Sequence, residues 1–339
     1  MAALVIMAKA SASKLAVQQA LYSLLPTDVA ASTRAVYASN LKQIWKHALH
    51  MPERQLEGST NNFVYEHLDT ILPWVLKKTP VTTRRNYLTV LLVTCKDTDA
   101  HEMLKTEAKK LNVIVDAIDG EQELDAKEME FFKTHAELLE ILNAFENQVQ
   151  QLSAWQDSRP MTHEEAFGHQ DGWVILFRYL AFLVMVKQPP LRGNWGAVKF
   201  DNDESADGYL KFNMDNRYLL LHINKDKVSS KYGAADVPIT DYVRDAILKS
   251  FKVWPRLWVF PNKFDPGLPM GVSSFCEFLR KTDFPGTDTY MYQGVQLLRA
   301  SYITWFYDDK THTLNNKQEL ARCMRHSQAT AEKCYRKLL

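Results

Sequence analysis

Hydrophobic residues fall three and four positions apart through most of this chain, and the polar residues between the runs divide it into helical segments around one β-rich stretch. The first clear run, "STRAVYASNLKQIWKHAL", puts Val36, Tyr37, Leu41, Ile44, Trp45 and Leu49 on one face behind a Ser-Thr pair that reads as an N-cap. A second run, "TTRRNYLTVLLV", repeats the opening: a hydroxyl pair, then arginine, then Tyr87 where the first copy has Tyr37. Residues 121–155 carry a single stripe of Phe132, Leu138, Leu142, Phe145, Val149 and Leu152 with carboxylates elsewhere, which predicts one long acidic helix. "DSRPMTHEE" breaks it before a new capped helix. "WVILFRYLAFLVMV" is apolar nearly all round and predicts a buried central helix ending at Pro189–Pro190. "YLKFNMDNRYLLLHINKDKVSSKYGAADVPIT" then alternates short β-rich runs with turn residues, the pattern of a small antiparallel sheet. Helices return after Asp241 and, apart from a short "LWVF" interruption, run to the end. The expected class is mainly α with a small antiparallel β-sheet (α+β).

At 339 residues the chain exceeds what one core usually serves. The expected division is a flexible leader over 1–25, a helical DNA-binding domain over 26–118, an acidic helical linker over 119–160, and a catalytic domain over 161–339. Residues 1–27 contain no acidic residue, which makes the leader basic and faintly like a transit peptide. The whole-chain net charge of +1 conceals an asymmetry. Lys and Arg number 14 against 11 Asp and Glu over 1–120 (+3), 3 against 11 over 121–170 (−8), and 24 against 18 over 171–339 (+6). Two basic blocks flanking an acidic one can each carry an electrostatic footprint for nucleic acid. The acidic helix should avoid DNA and pack between domains or against a second subunit. Cys95, Cys276, Cys323 and Cys334 have neither zinc-ligand spacing nor a disulfide pattern, which points to a reducing, intracellular compartment. No apolar run approaches a membrane span, so no membrane partner is expected.

Helix N-termini attract anions, and arginine matches phosphate geometry. Arg34, Arg84 and Arg85, at the starts of the two repeated helices, therefore either meet DNA phosphates or are solvated residues of ordinary capped helices.

Four separated pieces carry the remaining chemistry: "PPLRGNWGAVKF" with Arg192, "HINKDKVSSKYGAADVPI" with lysines in a hairpin, "QLLRASYITWFY" with Arg299, and "MRHSQATAEKCYRK" with His326 and Tyr335. In order, type and spacing they resemble the catalytic domain of the tyrosine recombinases, the phage-integrase-like DNA breaking and rejoining enzymes. The resemblance covers 171–339 by motif, and 30–118 only loosely, as the helical core-binding domain that such enzymes carry upstream.

What the resemblance implies is specific. A phosphodiester repels nucleophiles, and charge grows on its equatorial oxygens in the transition state; two arginines, Arg192 and Arg299, would hold those oxygens. Tyr335 would attack phosphorus, forming a 3′-phosphotyrosyl link and a 5′-hydroxyl. Tyrosine ionises only near pH ~10, so the surrounding cations Arg325, His326, Lys333, Arg336 and Lys337 would assist. His326 would bond a non-bridging oxygen or move the nucleophile's proton. A hairpin lysine would protonate the leaving oxygen, Lys227 first and Lys225 second, with Lys225, Lys231 and Arg325 contacting DNA. Because bond energy is stored in the protein–DNA link, no ATP, metal or other cofactor is implied.

Departures from the pattern are visible. Gln296 stands where the family usually has histidine or lysine; it can donate a hydrogen bond to phosphate but cannot shuttle a proton. Trp195 stands where an acidic residue is common, so the neighbouring arginine must be braced differently. The chain also ends soon after Tyr335, whereas many relatives continue into a segment that docks on a neighbouring subunit.

The expected function is a site-specific recombinase or integrase of a mobile element, closing two domains around double-stranded DNA and working as a synapsed tetramer. A type IB topoisomerase-like activity, and a DNA-binding protein descended from a recombinase that no longer cuts, are the rivals.

Overall fold

The computed structural model describes residues 15–56, 62–169, 171–213, 218–282 and 294–337; residues 1–14 of the expected leader lie outside them. The chain divides into two compact units, 1–121 and 122–339. Both are mainly helical, and the second adds a small four-stranded sheet. No helix among the described residues is long and apolar enough to cross a membrane.

In the first unit, residues 15–23 form helix α1, followed by α2 (Ala31–His47), α3 (Leu68–Leu76), α4 (Val81–Thr94) and α5 (His101–Glu121). Val17, Leu21 and Leu25 are buried with Leu41, Ile44, Trp45 and Leu91, so the end of the expected leader is part of this core. The hydroxyl pairs do not cap. α2 begins at Ala31 behind Ala30 and α4 at Val81 behind Pro80, neither with a side-chain cap. Ser32, Thr33, Thr82 and Thr83 therefore sit inside the first turns.

In the second unit the expected single acidic helix is split into α6 (Ala126–Phe131), α7 (His135–Gln150) and a single turn, Ser153–Gln156. Capping boxes make the breaks: Asp125 with Glu128, and Thr134 with Glu137, exchange side-chain and backbone hydrogen bonds at two helix starts. Nor is 119–160 a linker. Leu138, Leu142, Phe145 and Val149 of α7 bury themselves against α8 (Gly172–Val186), with the Phe145 and Phe182 rings 5.4 Å apart. Its apolar stripe serves the unit's own core. The central helix α8 is buried nearly all round, as its pattern predicts.

The sheet runs β1 (Val198–Lys199), β2 (Gly208–Asn213), β3 (Tyr218–Ile223) and β4 (Ala235–Ile239) in spatial order. β2, β3 and β4 pair antiparallel, but β1 pairs parallel to β2, so the sheet is mixed rather than antiparallel. The loop 200–207, tied by the Lys199–Asp203 ion pair, returns the chain to the same end of the sheet before β2 begins.

Ahead of β1, the turn Gly193–Ala197 is pressed onto the start of α10 (Val272–Arg280); α9 is Asp241–Val253. Gly196 is required there, since a Cβ would lie 2.3 Å from the Gly271 carbonyl oxygen. This contact seats the residue just before the turn, Arg192. The unit ends with α11 (Val295–Asp308), α12 (Leu314–Cys323), a short turn Gln328–Thr330 and a π-turn, Ala331–Tyr335.

Candidate active site

Tyr335 ends the π-turn, a one-residue widening of the helix that often marks functional positions. The hydroxyl oxygen accepts from Arg192 Nη2 at 3.5 Å, and the Arg299 guanidinium carbon lies 4.8 Å from the ring centre. The His326 ring is stacked on the Tyr335 ring, centroids 5.4 Å apart. Segments 192, 299, 326 and 335 thus converge on one phenol.

The two arginines are held differently. Arg299, on α11 and only 1% exposed, donates from Nη1 to the Pro190 carbonyl at 2.6 Å and from Nη2 to the Met324 carbonyl at 3.4 Å. Those carbonyls brace Arg299, whereas Trp195, three positions after Arg192, is fully buried and offers that arginine no carboxylate. Burial pulls the Arg299 pKa below the ordinary arginine value, with Tyr335 acting in the opposite direction. Its Nε is buried without a partner. Arg192 is exposed and pairs with the tyrosine.

His326 has a defined tautomer. Its Nδ1 faces the Ser327 carbonyl at 3.1 Å, and a carbonyl only accepts, so Nδ1 carries the proton. Burial, aided by Arg299 and Arg192, pulls its pKa down to about 4. The imidazole is therefore neutral at pH 7, with the Nε2 lone pair buried and unpartnered. That nitrogen is a proton acceptor beside the phenol.

Lys225 and Lys227, both exposed, line a cavity of about 320 Å³ together with Arg192, Asn194 and Met324. Lys231 instead stands with its ammonium 5.1 Å from the Tyr232 ring. Gln296 is exposed on the first turn of α11, one turn before Arg299, and is not packed into the buried cluster.

Most of the cations expected around Tyr335 are committed elsewhere. Arg325 forms a buried pair with Asp226, Nε–Oδ2 2.7 Å, with side chains 4% and 8% exposed. Breaking such a pair costs on the order of 3–5 kcal/mol, so Arg325 is a structural cation rather than a DNA contact. Burial works against the Asp226 carboxylate, but Arg325, Ser229 and the Val228 amide outweigh it and leave its pKa below the ordinary value. Arg336 pairs with Asp308 at 3.0 Å, and Lys337 with Glu128 at 3.0 Å. The acidic segment thus ties down the tail that carries Tyr335; Gln122 adds a bond to the Glu332 carbonyl.

In the first unit, Arg34 donates to the Tyr22 carbonyl at 3.1 Å and lies over its ring, and Arg84 donates to the Lys78 carbonyl. Arg85 is exposed.

Neither the family models nor the curated proteins contain a match to this chain. Among the described residues, no group of three or more His, Cys, Asp or Glu side chains is arranged to hold a metal ion.

Sequence reasoning missed Asp226 and the Pro190 and Met324 carbonyls. The Asp226–Ser229 turn was visible as D-x-x-S, but its distant partner was not. His135 was also missed as a titratable group: it stacks on Trp305 at 4.2 Å, and burial, with Lys187, pulls its pKa down to about 4.

His135 and His326 make a stability prediction. In the unfolded chain each takes a proton near pH ~6.5, whereas in the folded protein each stays neutral down to about 4. Below that upper value the unfolded state binds more protons, so stability falls as pH drops from ~6.5 toward 4. The loss is about 2–3 kcal/mol per histidine by pH ~4.5. Urea midpoints measured at neutral and acid pH should therefore converge in His135→Gln and His326→Gln relative to wild type. Unchanged acid sensitivity in both variants would refute the assignment.

Proposed function

We propose that the protein is a DNA strand-breaking and rejoining enzyme of the tyrosine-recombinase kind, acting on double-stranded DNA through a 3′-phosphotyrosyl intermediate. The single observation that carries this reading is the convergence of Arg192, Arg299 and the His326 ring on Tyr335. The buried, unpartnered Arg299 Nε beside that phenol supports it further, because buried polar atoms are ordinarily satisfied and this donor would be by a phosphodiester, while the unpartnered His326 Nε2 lone pair is free to take the phenol's proton.

The chemistry follows from the side chains. Arg192 and Arg299 hold the non-bridging oxygens with fixed positive charge, where negative charge grows. The Tyr335 hydroxyl oxygen attacks phosphorus, and its proton passes to His326 Nε2. As the O–P bond to the 5′ carbon's oxygen breaks, that oxygen takes a proton from Lys227. The phosphate charge then favours the protonated imidazole, which becomes a further donor to it beside the two arginines. Attack of the 5′-hydroxyl on the phosphotyrosine reverses every transfer and reseals a strand, so bond energy is conserved.

Incubating the protein with a pool of nicked duplexes, whose short 5′ strands diffuse away after cleavage, should trap a denaturant-resistant protein–DNA adduct. Sequencing the trapped DNA should return a few sites, as expected of a recombinase assembling several copies on its target. Scattered sites would favour topoisomerase-like relaxation, and DNA binding with no adduct would refute the enzymatic reading.

A further inference from the structure

We infer that Asp226 is a positioning residue, fixing the lysine loop against the His326–Tyr335 segment through Arg325 so that Lys227 meets the leaving 5′ oxygen. The inference rests on the reaction proposed above.

The loop 224–233 joins β3 to β4 and carries all three hairpin lysines. Its first end is pinned by the amides of Asn224 and Lys225, both donating to the Asp207 carbonyl at 3.0 Å. Its middle is organised by Asp226, whose Oδ1 accepts from the Val228 amide at 3.0 Å and the Ser229 hydroxyl at 2.7 Å. Arg325 then ties that turn to the loop's far end: Nε and Nη2 reach the Asp226 carboxylate at 2.7 and 3.1 Å, and Nη2 also reaches the Gly233 carbonyl at 2.7 Å. A two-pronged guanidinium–carboxylate contact fixes orientation as well as distance.

Lys227 lies between Asp226 and the Val228 amide that Asp226 holds. Its backbone root is therefore set while its side chain stays exposed on the cavity shared with Arg192. The other end of the clasp is covalently next to His326. Arg325 has φ +56°, an uncommon conformation for a residue other than glycine, and the chain retains it with a side chain buried in this contact.

The test uses a duplex recovered from the adduct pool, synthesised with either oxygen or sulfur at the bridging 5′ position of the cleaved bond. A thiolate leaves without needing a proton, so the sulfur duplex bypasses the lysine but still requires Tyr335 and both arginines. Asp226→Asn and Lys227→Ala should each slow cleavage of the oxygen duplex by about 10²-fold or more, the range of a lost general acid, and recover on sulfur. The double variant should be no slower than the slower single, because the two act as one unit. Asp226→Asn equally slow on both duplexes would reduce the clasp to a merely structural role, and an unaffected oxygen rate would overturn the inference. If Asp226→Asn fails to melt cooperatively, Arg325→Lys, which keeps the charge and loses the fork, is read by the same criteria. Wild type giving no Tyr335-dependent adduct on either duplex would sink the parent reaction instead.

Discussion

Tyr335→Phe is expected to abolish the covalent adduct while leaving the fold intact. The phenyl ring keeps the stack on His326 and the contact with the Arg299 guanidinium, since both involve the ring rather than the hydroxyl. The atom removed makes a long bond, 3.5 Å from Arg192, and interacts with the Arg299 guanidinium, so the melting transition should shift by no more than about 2 kcal/mol. Activity has no such cushion. Loss of a nucleophile removes the covalent step outright, and in other enzymes costs about 10⁶ in rate. Labelled nicked duplex on a denaturing gel, run beside a thermal melt, reads both quantities. An adduct that persists in the variant would move the nucleophile to another side chain and remove the main support for the mechanism.

Arg299→Lys should lower the cleavage rate by about 10²–10³-fold, the effect of losing one preorganised donor to a developing oxyanion. Lysine keeps the charge but not the planar fork, so it cannot hold the Pro190 and Met324 carbonyls and present Nε to a phosphate at once. The same change should destabilise the fold, because each buried carbonyl left without a donor costs about 1–3 kcal/mol. If the protein binds duplex DNA as proposed, affinity should change much less than the rate, since most of that binding would come from other phosphate contacts. Single-turnover cleavage and equilibrium binding, measured on the folded variant, separate the two effects. Cleavage at the wild-type rate would exclude Arg299 from the phosphate clamp.

Much of the architecture was legible in neighbouring residues. The unbroken apolar run of "WVILFRYLAFLVMV" dictated a central helix, and the β-rich runs dictated strands, because both signals are local preferences repeated at a fixed period. The order of Arg192, Arg299, His326 and Tyr335 along the chain was likewise visible before their meeting was. Where local signals compete, the reading failed. The stripe over 121–155 suggested one helix, yet the capping boxes at Asp125 and Thr134 each satisfy otherwise orphaned amides and start separate helices there. A two-residue strand such as β1 carries too little pattern to show its direction.

Which cations serve the site was decided only by the tertiary structure. Arg325, Arg336 and Lys337 flank Tyr335 in sequence, but their carboxylate partners are Asp226, Asp308 and Glu128, 99, 28 and 209 positions away. The arginines that reach the phenol, Arg192 and Arg299, come from distant segments too. A helix or strand is chosen by interactions within a few residues, whereas a charged group takes its partner from every opposite charge the fold brings near. Sequence proximity therefore identified the kinds of residue in this site, and only packing determined which of them face the tyrosine.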